Sequence, residues 1–440
     1  MKHTNPLRLT PRPPMGWNSY DSFGCFANEH RLLENLRLFS TRLKPHGYEY
    51  FVLDAGWYRQ YELGEREFPG KDDTYTVLHD ELGRPIPAPC FFPNGIAPVA
   101  AACHAAGVKF GIHMMRGIAK NAVAANTAVK GTLLHAQDIA NLADTCCWCP
   151  DNVGIDMTKP GAQAYYDSLI EMLAAWGVDF IKYDDIVPFP AEVEAVANAI
   201  EKCGRDIVLS LSPGNEHKAD GWSSYRRANM VRISGDIWDD REDFRWVFER
   251  WQNFMPISDS LPTGCWLDQD MIPFGELQVW NPAQGEQVGH ILMNGKGARR
   301  MSCLNDAQKR TFMAMRALAA SPLFMGGHLP GTDDYSFQLL TDPGMLACNQ
   351  NGVTGKLVTY TDWTSIWKTP HRSQPNTGWF GVFNRDGVNP REIVVDATVM
   401  GIPPKSLLHN VWNRSDLGYL NQPLRLTLPP DEVLFVHYTP

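Results

Sequence analysis

TKPGAQAYYDSLIEMLAAWGVDFIKYDD, residues 158–185, carries the reading of the fold. Tyr166, Leu169, Ile170, Leu173 and Trp176 recur at helical spacing and share one face. Thr158 or the following Pro160 is suited to open that helix, and Gly177 to close it. Val178–Tyr183 then runs as a short apolar strand, with Lys182 and Asp184 at its end. An amphipathic helix that feeds such a strand through one glycine is half of a helix–strand repeat whose sheet is covered on both faces.

The same unit recurs in both directions along the chain. Met15–Trp17, Tyr50–Leu53, Val108–Met114, Val178–Tyr183, Ile207–Leu211, Met230–Ser234, the stretch near Cys265–Leu267 and Pro322–Met325 are eight strand candidates. Helical patterns separate the early ones. Asn28 can cap a helix carrying Leu32, Leu33, Leu36, Phe39 and Leu43 that Pro45 ends; Pro98–Ala106 is closed by Gly107, and Ala191–Ile200 follows. Eight such units predict an α/β fold, a closed (β/α)8 TIM barrel, over an open doubly wound sheet, and no GxGxxG follows the first strand.

After about residue 350 the texture changes. Lys356–Tyr360, Thr364–Lys368, Trp379–Asn384, Glu392–Ala397, Leu407–Trp412 and Val433–Tyr438 are short strand-like runs punctuated by Gly, Pro, Asn and Asp. They predict a C-terminal antiparallel β-sandwich. The expected organisation is a catalytic barrel over 1–350, with long loops at 58–97 and 116–157, and a β domain over 351–440.

Composition excludes several classes. Apolar residues are 44% and charged residues 20% of the 440, without low-complexity tracts, so a disordered chain is excluded. Forty basic against 49 acidic side chains give −9, which argues against a nucleic-acid or anionic-membrane partner. No run approaches the ~20 apolar residues of a membrane span, and MKHTNPLRLTPRPP has no apolar leader core. Ten cysteines are too sparse for a disulfide scaffold and point to a reduced, cytoplasmic protein. Cys146-Cys147-Trp148-Cys149 lacks the second ligand pair of a zinc site and reads as a loop wall.

In such a barrel the active site lies at the C-terminal strand ends. The polar residues there are Asp54, His113, Lys182 and Asp184, Ser212, Arg232 and Asp236, and Asp268 and Asp270. Carboxylates converging from four strands require a cation or a function. One chemistry is a divalent ion held by carboxylates and His, as in a metal-dependent sugar isomerase that a chelator would silence. The other is glycoside hydrolysis by two carboxylates. Lys182 and Arg232 disfavour a metal and would keep Asp184 ionised. Trp17, Tyr20, Trp57 and Trp266 offer stacking faces for a pyranose. A carbohydrate-binding barrel without activity is a third reading, which the intact Asp184/Asp236 pair opposes.

PPMGWNSYDSFG at 13–24, Asp54-Ala55-Gly56-Trp57, KYDD at 182–185, RISGDIWDD at 232–240, WLDQDM at 266–271, SPLFMGG at 321–327 and NQN at 349–351 occur in this order. Together they resemble glycoside hydrolase family 27, which contains α-galactosidases, α-N-acetylgalactosaminidases and β-L-arabinopyranosidases. The resemblance covers the whole chain. It implies a retaining, exo-acting glycosidase without cofactor or metal, with Asp184 as nucleophile and Asp236 as acid/base. It further implies that Lys182 and Arg232 hold sugar hydroxyls, that Asp54 grips O4 and O6, that Asp270 lies near O2, and that Tyr20 is an aromatic platform. His113 is expected in the site wall. The partner implied is a small-molecule glycoside, and the long loops are compatible with a homo-oligomer.

Three departures bear on the substrate; one is the pair of long loops at 58–97 and 116–157, carrying Arg116, Cys146, Cys147, Trp148 and Cys149, which favour a short, exo-acting pocket over an open polysaccharide cleft. Ala55 replaces the second Asp of the family's usual pair, so the acceptor for a C6 hydroxyl is missing; β-L-arabinopyranose is α-D-galactopyranose without C6. Ser212 stands near where the α-galactosidases carry a Glu, leaving room beside O2. The expected activity is release of terminal α-D-galactosyl-type residues, with β-L-arabinopyranoside cleavage the close alternative and α-N-acetylgalactosaminide less favoured.

Overall fold

The computed structural model describes residues 6–70, 73–281, 290–291 and 294–440; the expectation drawn from the first five residues lies outside that range. Eight parallel strands form one sheet: β1 (Met15–Asn18), β2 (Tyr50–Leu53), β3 (Lys109–Met115), β4 (Phe180–Asp184), β5 (Val208–Leu211), β6 (Met230–Arg232), β7 (Trp266–Asp268) and β8 (Leu323–Met325). Their order is β7-β6-β5-β4-β3-β2-β1-β8. Just past β7, Ile272 bridges to Met325 of β8; its N–H donates to the Phe324 carbonyl at 2.8 Å, which closes the ring. The fold is the expected TIM barrel. Strands β2 and β5 are buried at every position because helices cover the outside and side chains fill the inside.

Local rules explain the helices that set the strand register. Asn28 caps Glu29–Leu38 by accepting from the Arg31 N–H at 2.9 Å. The helix before β4 spans Ala162–Ala175 and starts later than Thr158 or Pro160. Thr158 spends both its N–H and its hydroxyl on the Asp156 carboxylate, making a separate turn, and Gly161 at φ 90° redirects the chain. The loop after β2 contains a hairpin, Arg59–Tyr61 with Tyr75–Val77, and the loop after β3 a three-stranded sheet of Ile118–Ala119, Asn152–Ile155 and Ala140–Thr145.

Beyond the helix Pro343–Gln350 the chain is antiparallel. Its strands are β9 (Lys356–Tyr360), β10 (Thr364–Pro370), β11 (Gly378–Asn384), β12 (Arg391–Val395), β13 (Leu407–Asn410), β14 (Ser415–Tyr419), β15 (Leu424–Leu428) and β16 (Val433–Thr439). A six-stranded sheet, β9-β10-β11-β16-β13-β14, faces the pair β12-β15 across Ile366, Phe380, Val382, Val395 and Val436. Sequence reasoning missed β14, most of which is exposed, and β15, although Leu424, Leu426 and Leu428 alternate there with exposed Arg425 and Thr427.

This sheet is fastened to the barrel. Trp251, from the helix Arg241–Phe254, stacks on Trp367 of β10 with ring centres 3.6 Å apart, and both are fully buried. Thr369 donates to the Leu318 carbonyl at 2.9 Å beside it. Trp367→Ala should therefore cost about 3–5 kcal/mol in chemical denaturation. Val388→Ala, at a 77% exposed site, should change stability by less than about 0.5 kcal/mol.

Candidate active site

The ends of β1, β2, β3, β4 and β6 converge on one cavity of about 340 Å³. Tyr20, Asp54, Ala55, His113, Lys182, Asp184 and Asp236 line it, joined by Trp148, Pro213, Asn215 and Gly235 from the loops.

Each polar group is fixed by a neighbouring strand. Asp54 donates its N–H to Ser19 Oγ at 2.9 Å, and its Oδ2 accepts from Asn18 Nδ2 at 2.7 Å and Lys182 Nζ at 2.9 Å. Burial alone would raise the Asp54 pKa, but Lys182 and His113 outweigh it and hold the group below its usual range. Lys182 stands between two strand-end carboxylates, 3.8 Å from Asp184 Oδ2, and is more firmly protonated than an exposed lysine. Its Nζ also lies 5.4 Å from the Tyr20 ring centre.

Asp184 accepts from Ser212 Oγ at 2.8 Å through Oδ1, and its Oδ2 lies 3.3 Å from His113 Nε2. Burial pushes its pKa up; the Lys182 charge, the His113 hydrogen bond and Arg232 override that and hold it far below the carboxylate range. Asp184 is thus an ionised oxygen pair in a closed pocket, with the electronic character of a nucleophile.

Asp236 is the more open of the two, with its side chain 32% exposed. The Arg232 guanidinium donates to Asp236 Oδ1 at 2.5 Å and lies 3.3 Å from Asp270 Oδ1. Asp270 sits at φ 69° and accepts the Ile237 N–H at 2.7 Å, which pins the loop carrying Asp236. Below it, burial and the nearby Asp270 charge raise the Asp268 pKa to about 7. Burial likewise drives Asp21 upward. Burial disfavours the charged forms of these two carboxyls, while Asp54, Asp184 and Asp236 face Lys182 and Arg232.

Several expectations change. Trp17, Trp57 and Trp266 do not line the cavity. Each indole N–H is spent on a backbone carbonyl, of Gly327, His113 and Thr10 respectively, and each ring is buried in the core. Ser212, Arg232 and Asp270 also lie off the cavity wall: Ser212 reaches the Asp184 carboxylate, and Arg232 and Asp270 back Asp236. Tyr20, Asp54, Ala55, His113, Lys182, Asp184 and Asp236 are brought together as read. Trp148 lines the cavity from the loop read as a wall, whereas sequence reasoning missed Pro213, Asn215 and Gly235, which follow β5 and β6 with no distinguishing pattern.

The donor set does not resemble a metal centre. Among the described residues no three His, Cys, Asp or Glu side chains converge to hold an ion. In the cysteine loop Cys149 is buried against Arg59, at 3.7 Å from Nη2, while Cys147 is exposed.

A family model described as alpha galactosidase A matches residues 151–351. Among solved structures, a GH27 β-L-arabinopyranosidase from Geobacillus stearothermophilus superposes with a TM-score of 0.88 at 33% identity, covering 99% of this chain and 98% of that one. The alpha-galactosidase of Cyamopsis tetragonoloba is 26% identical over 82% of this chain and 70% of its own length. Alpha-galactosidase A of Cellvibrio japonicus is 24% identical over 98% and 93%.

The charge arrangement makes a pH prediction. A depressed pKa keeps Asp184 charged at every pH above it, so its protonation does not limit the wild type at mildly acidic pH. Lys182→Met leaves the upward push of burial less opposed. The acid limb of kcat/KM on an aryl glycoside should then move to higher pH by more than about one unit, since one unit corresponds to only about 1.4 kcal/mol. An unmoved limb would show that Lys182 is not the group that keeps Asp184 charged at mildly acidic pH, leaving His113 and Arg232 to do so.

Proposed function

This chain belongs to glycoside hydrolase family 27 and is an exo-acting glycosidase; from that premise we propose that it releases terminal α-D-galactosyl-type residues by double displacement. The observation that carries the reading is the pairing, in one cavity, of an ionised Asp184 with a more open Asp236. In this mechanism an Asp184 oxygen attacks the anomeric carbon as the bond to the leaving group breaks. Asp236 gives its proton to the departing oxygen, and a covalent glycosyl-enzyme forms. Asp236, now a carboxylate, then takes a proton from water, which displaces Asp184 with net retention. Ser212 and His113 steady the two Asp184 oxygens during both steps. Lys182 and Asp54 are placed to bind hydroxyls at the closed end.

Ala55 favours a second reading. Its methyl is part of the cavity wall and buried, so it offers no acceptor where a C6 hydroxyl would seek one. β-L-Arabinopyranose presents the same ring with no C6. The relatives carry both activities in their names, and the arabinopyranosidase from Geobacillus stearothermophilus matches at the higher identity. Ten cysteines in 440 residues are too sparse for a disulfide scaffold, which supports the reading of a reducing, cytoplasmic setting.

A panel of p-nitrophenyl α-D-galactopyranoside, β-L-arabinopyranoside, α-N-acetylgalactosaminide and α-glucoside tests the reading. The first two should be cleaved, with the same anomeric configuration in the first product by NMR; an inverted product would overturn the mechanism. Asp184→Ala should lose nearly all turnover. Asp236→Ala should keep measurable activity on p-nitrophenyl substrates, whose leaving group needs no acid, and lose it on a disaccharide.

If the missing acceptor governs choice, Ala55→Asp should shift the kcat/KM ratio toward galactoside, by about tenfold for each 1.4 kcal/mol recovered. A wild-type preference for galactoside above about a hundredfold, some 2.7 kcal/mol, would remove the arabinopyranoside reading.

A further inference from the structure

We propose that Trp148, held at the mouth of the catalytic cavity by two buried arginine–aspartate pairs, is a specificity-determining residue whose indole face binds the leaving group. The inference rests on the glycosidase reading and adds to it a site for the other half of the substrate.

Two staples bracket the loop that carries Trp148. On one side Arg116 donates to both oxygens of Asp144, at 2.9 and 2.8 Å. On the other, Arg59 donates twice to Asp151 Oδ2, at 2.9 and 2.7 Å, and Tyr75 donates to Oδ1 at 2.7 Å. Both arginine side chains are only 2% exposed. Arg59 would be left a buried, uncompensated guanidinium if Asp151 were lost, whereas Arg116 keeps Asp185 and Glu192, so the Asp151 staple is the firmer of the two.

The staples also tie the loop to the chemistry. Arg59 follows Ala55 by four residues, in the loop that leaves β2. Arg116 leaves β3, donates its backbone N–H to the Asp184 carbonyl at 3.0 Å, and also pairs with Asp185 and Glu192. Trp148 is thereby fixed relative to the strand ends that carry Asp54 and Asp184. It is a rigid platform and not a moving lid.

Burial assigns its side of the cavity. Asp54, Ala55 and Lys182 are buried and make the floor, whereas Trp148 is half-buried and Asn215 exposed. In a pocket closed at one end the terminal sugar occupies the floor, and the bond to be cut points toward the mouth. An aromatic face there meets an aryl ring or the apolar face of a second pyranose.

The test is calorimetry in the Asp184→Ala background, which holds substrate uncleaved. Adding Trp148→Ala should weaken p-nitrophenyl α-D-galactopyranoside and p-nitrophenyl β-L-arabinopyranoside about tenfold, while free D-galactose and L-arabinose change less than twofold. Trp148→Phe should restore most of the aryl affinity. Asp144→Ala, which frees one staple without touching the cavity, should reproduce the aryl-selective loss in part. Equal loss for glycosides and free sugars would place Trp148 on the terminal sugar and overturn the proposal, as would no loss for either. The glycosidase reading fails by a different signal, namely wild-type enzyme that binds these glycosides and cleaves none.

Discussion

Lys182 is a cation buried between two carboxylates that arrive on different strands, and the site is arranged around it. Taking an ammonium out of water costs several kcal/mol, and removing one partner from such a pair costs about 3–5 kcal/mol because a bare charge remains. The lysine is therefore tolerable only while Asp54 and Asp184 stay ionised, and its charge is in turn the largest pull that keeps them so. Strand register supplies the geometry: β3 places His113 beside Lys182, and β4 pairs Lys182 with Ser210 of β5. One strand slipped by a residue would turn Lys182 out of the barrel interior and remove the field that keeps the nucleophile charged.

The wider charge balance follows. Asp54 and Asp184 face Lys182, and Arg232 pairs with Asp236 and Asp270. Burial pushes the pKa values of Asp268, Asp21 and Asp270 up and so disfavours their charged forms. Glycosyl transfer passes through an oxocarbenium-like state with positive charge at the anomeric carbon. The ionised Asp184 beside that carbon stabilises the state more than the neutral sugar, and transition-state preference of this kind is what raises kcat.

Much of this was legible in the sequence because barrel strands announce themselves twice. Their apolar runs are flanked by helix stops, and their last residues are polar where a core has no use for polarity. All eight strands and the Asp54, Lys182, Asp184 and Asp236 placements came from those two signals. The tryptophans misled because position at a strand end does not reveal which way a ring turns. Trp17, Trp57 and Trp266 found carbonyl partners far along the chain, up to 310 residues away, and no local pattern encodes that. Ser212 was read by its small size, whereas its hydroxyl is what counts. The loop after β3 was legible only as length and as a wall; its staples pair residues 28 and 92 positions apart.

These two kinds of residue divide the work of recognition. The floor is built on strand ends whose positions the whole barrel defends, so a change there has to be as small as Asp to Ala if the Lys182 balance is to survive. Ala55 is such a change: it removes one acceptor without disturbing Asp54, whose Oδ1 takes the Ala55 N–H and would do so for any side chain at that position. The mouth is built on long excursions anchored by their own buried ion pairs, so it can be remodelled without disturbing the floor. Selection of the terminal sugar and selection of what it is attached to are then separable in this fold. On the proposals made above, the Ala55 methyl bears on the first, and the stapled loop with Trp148 on the second.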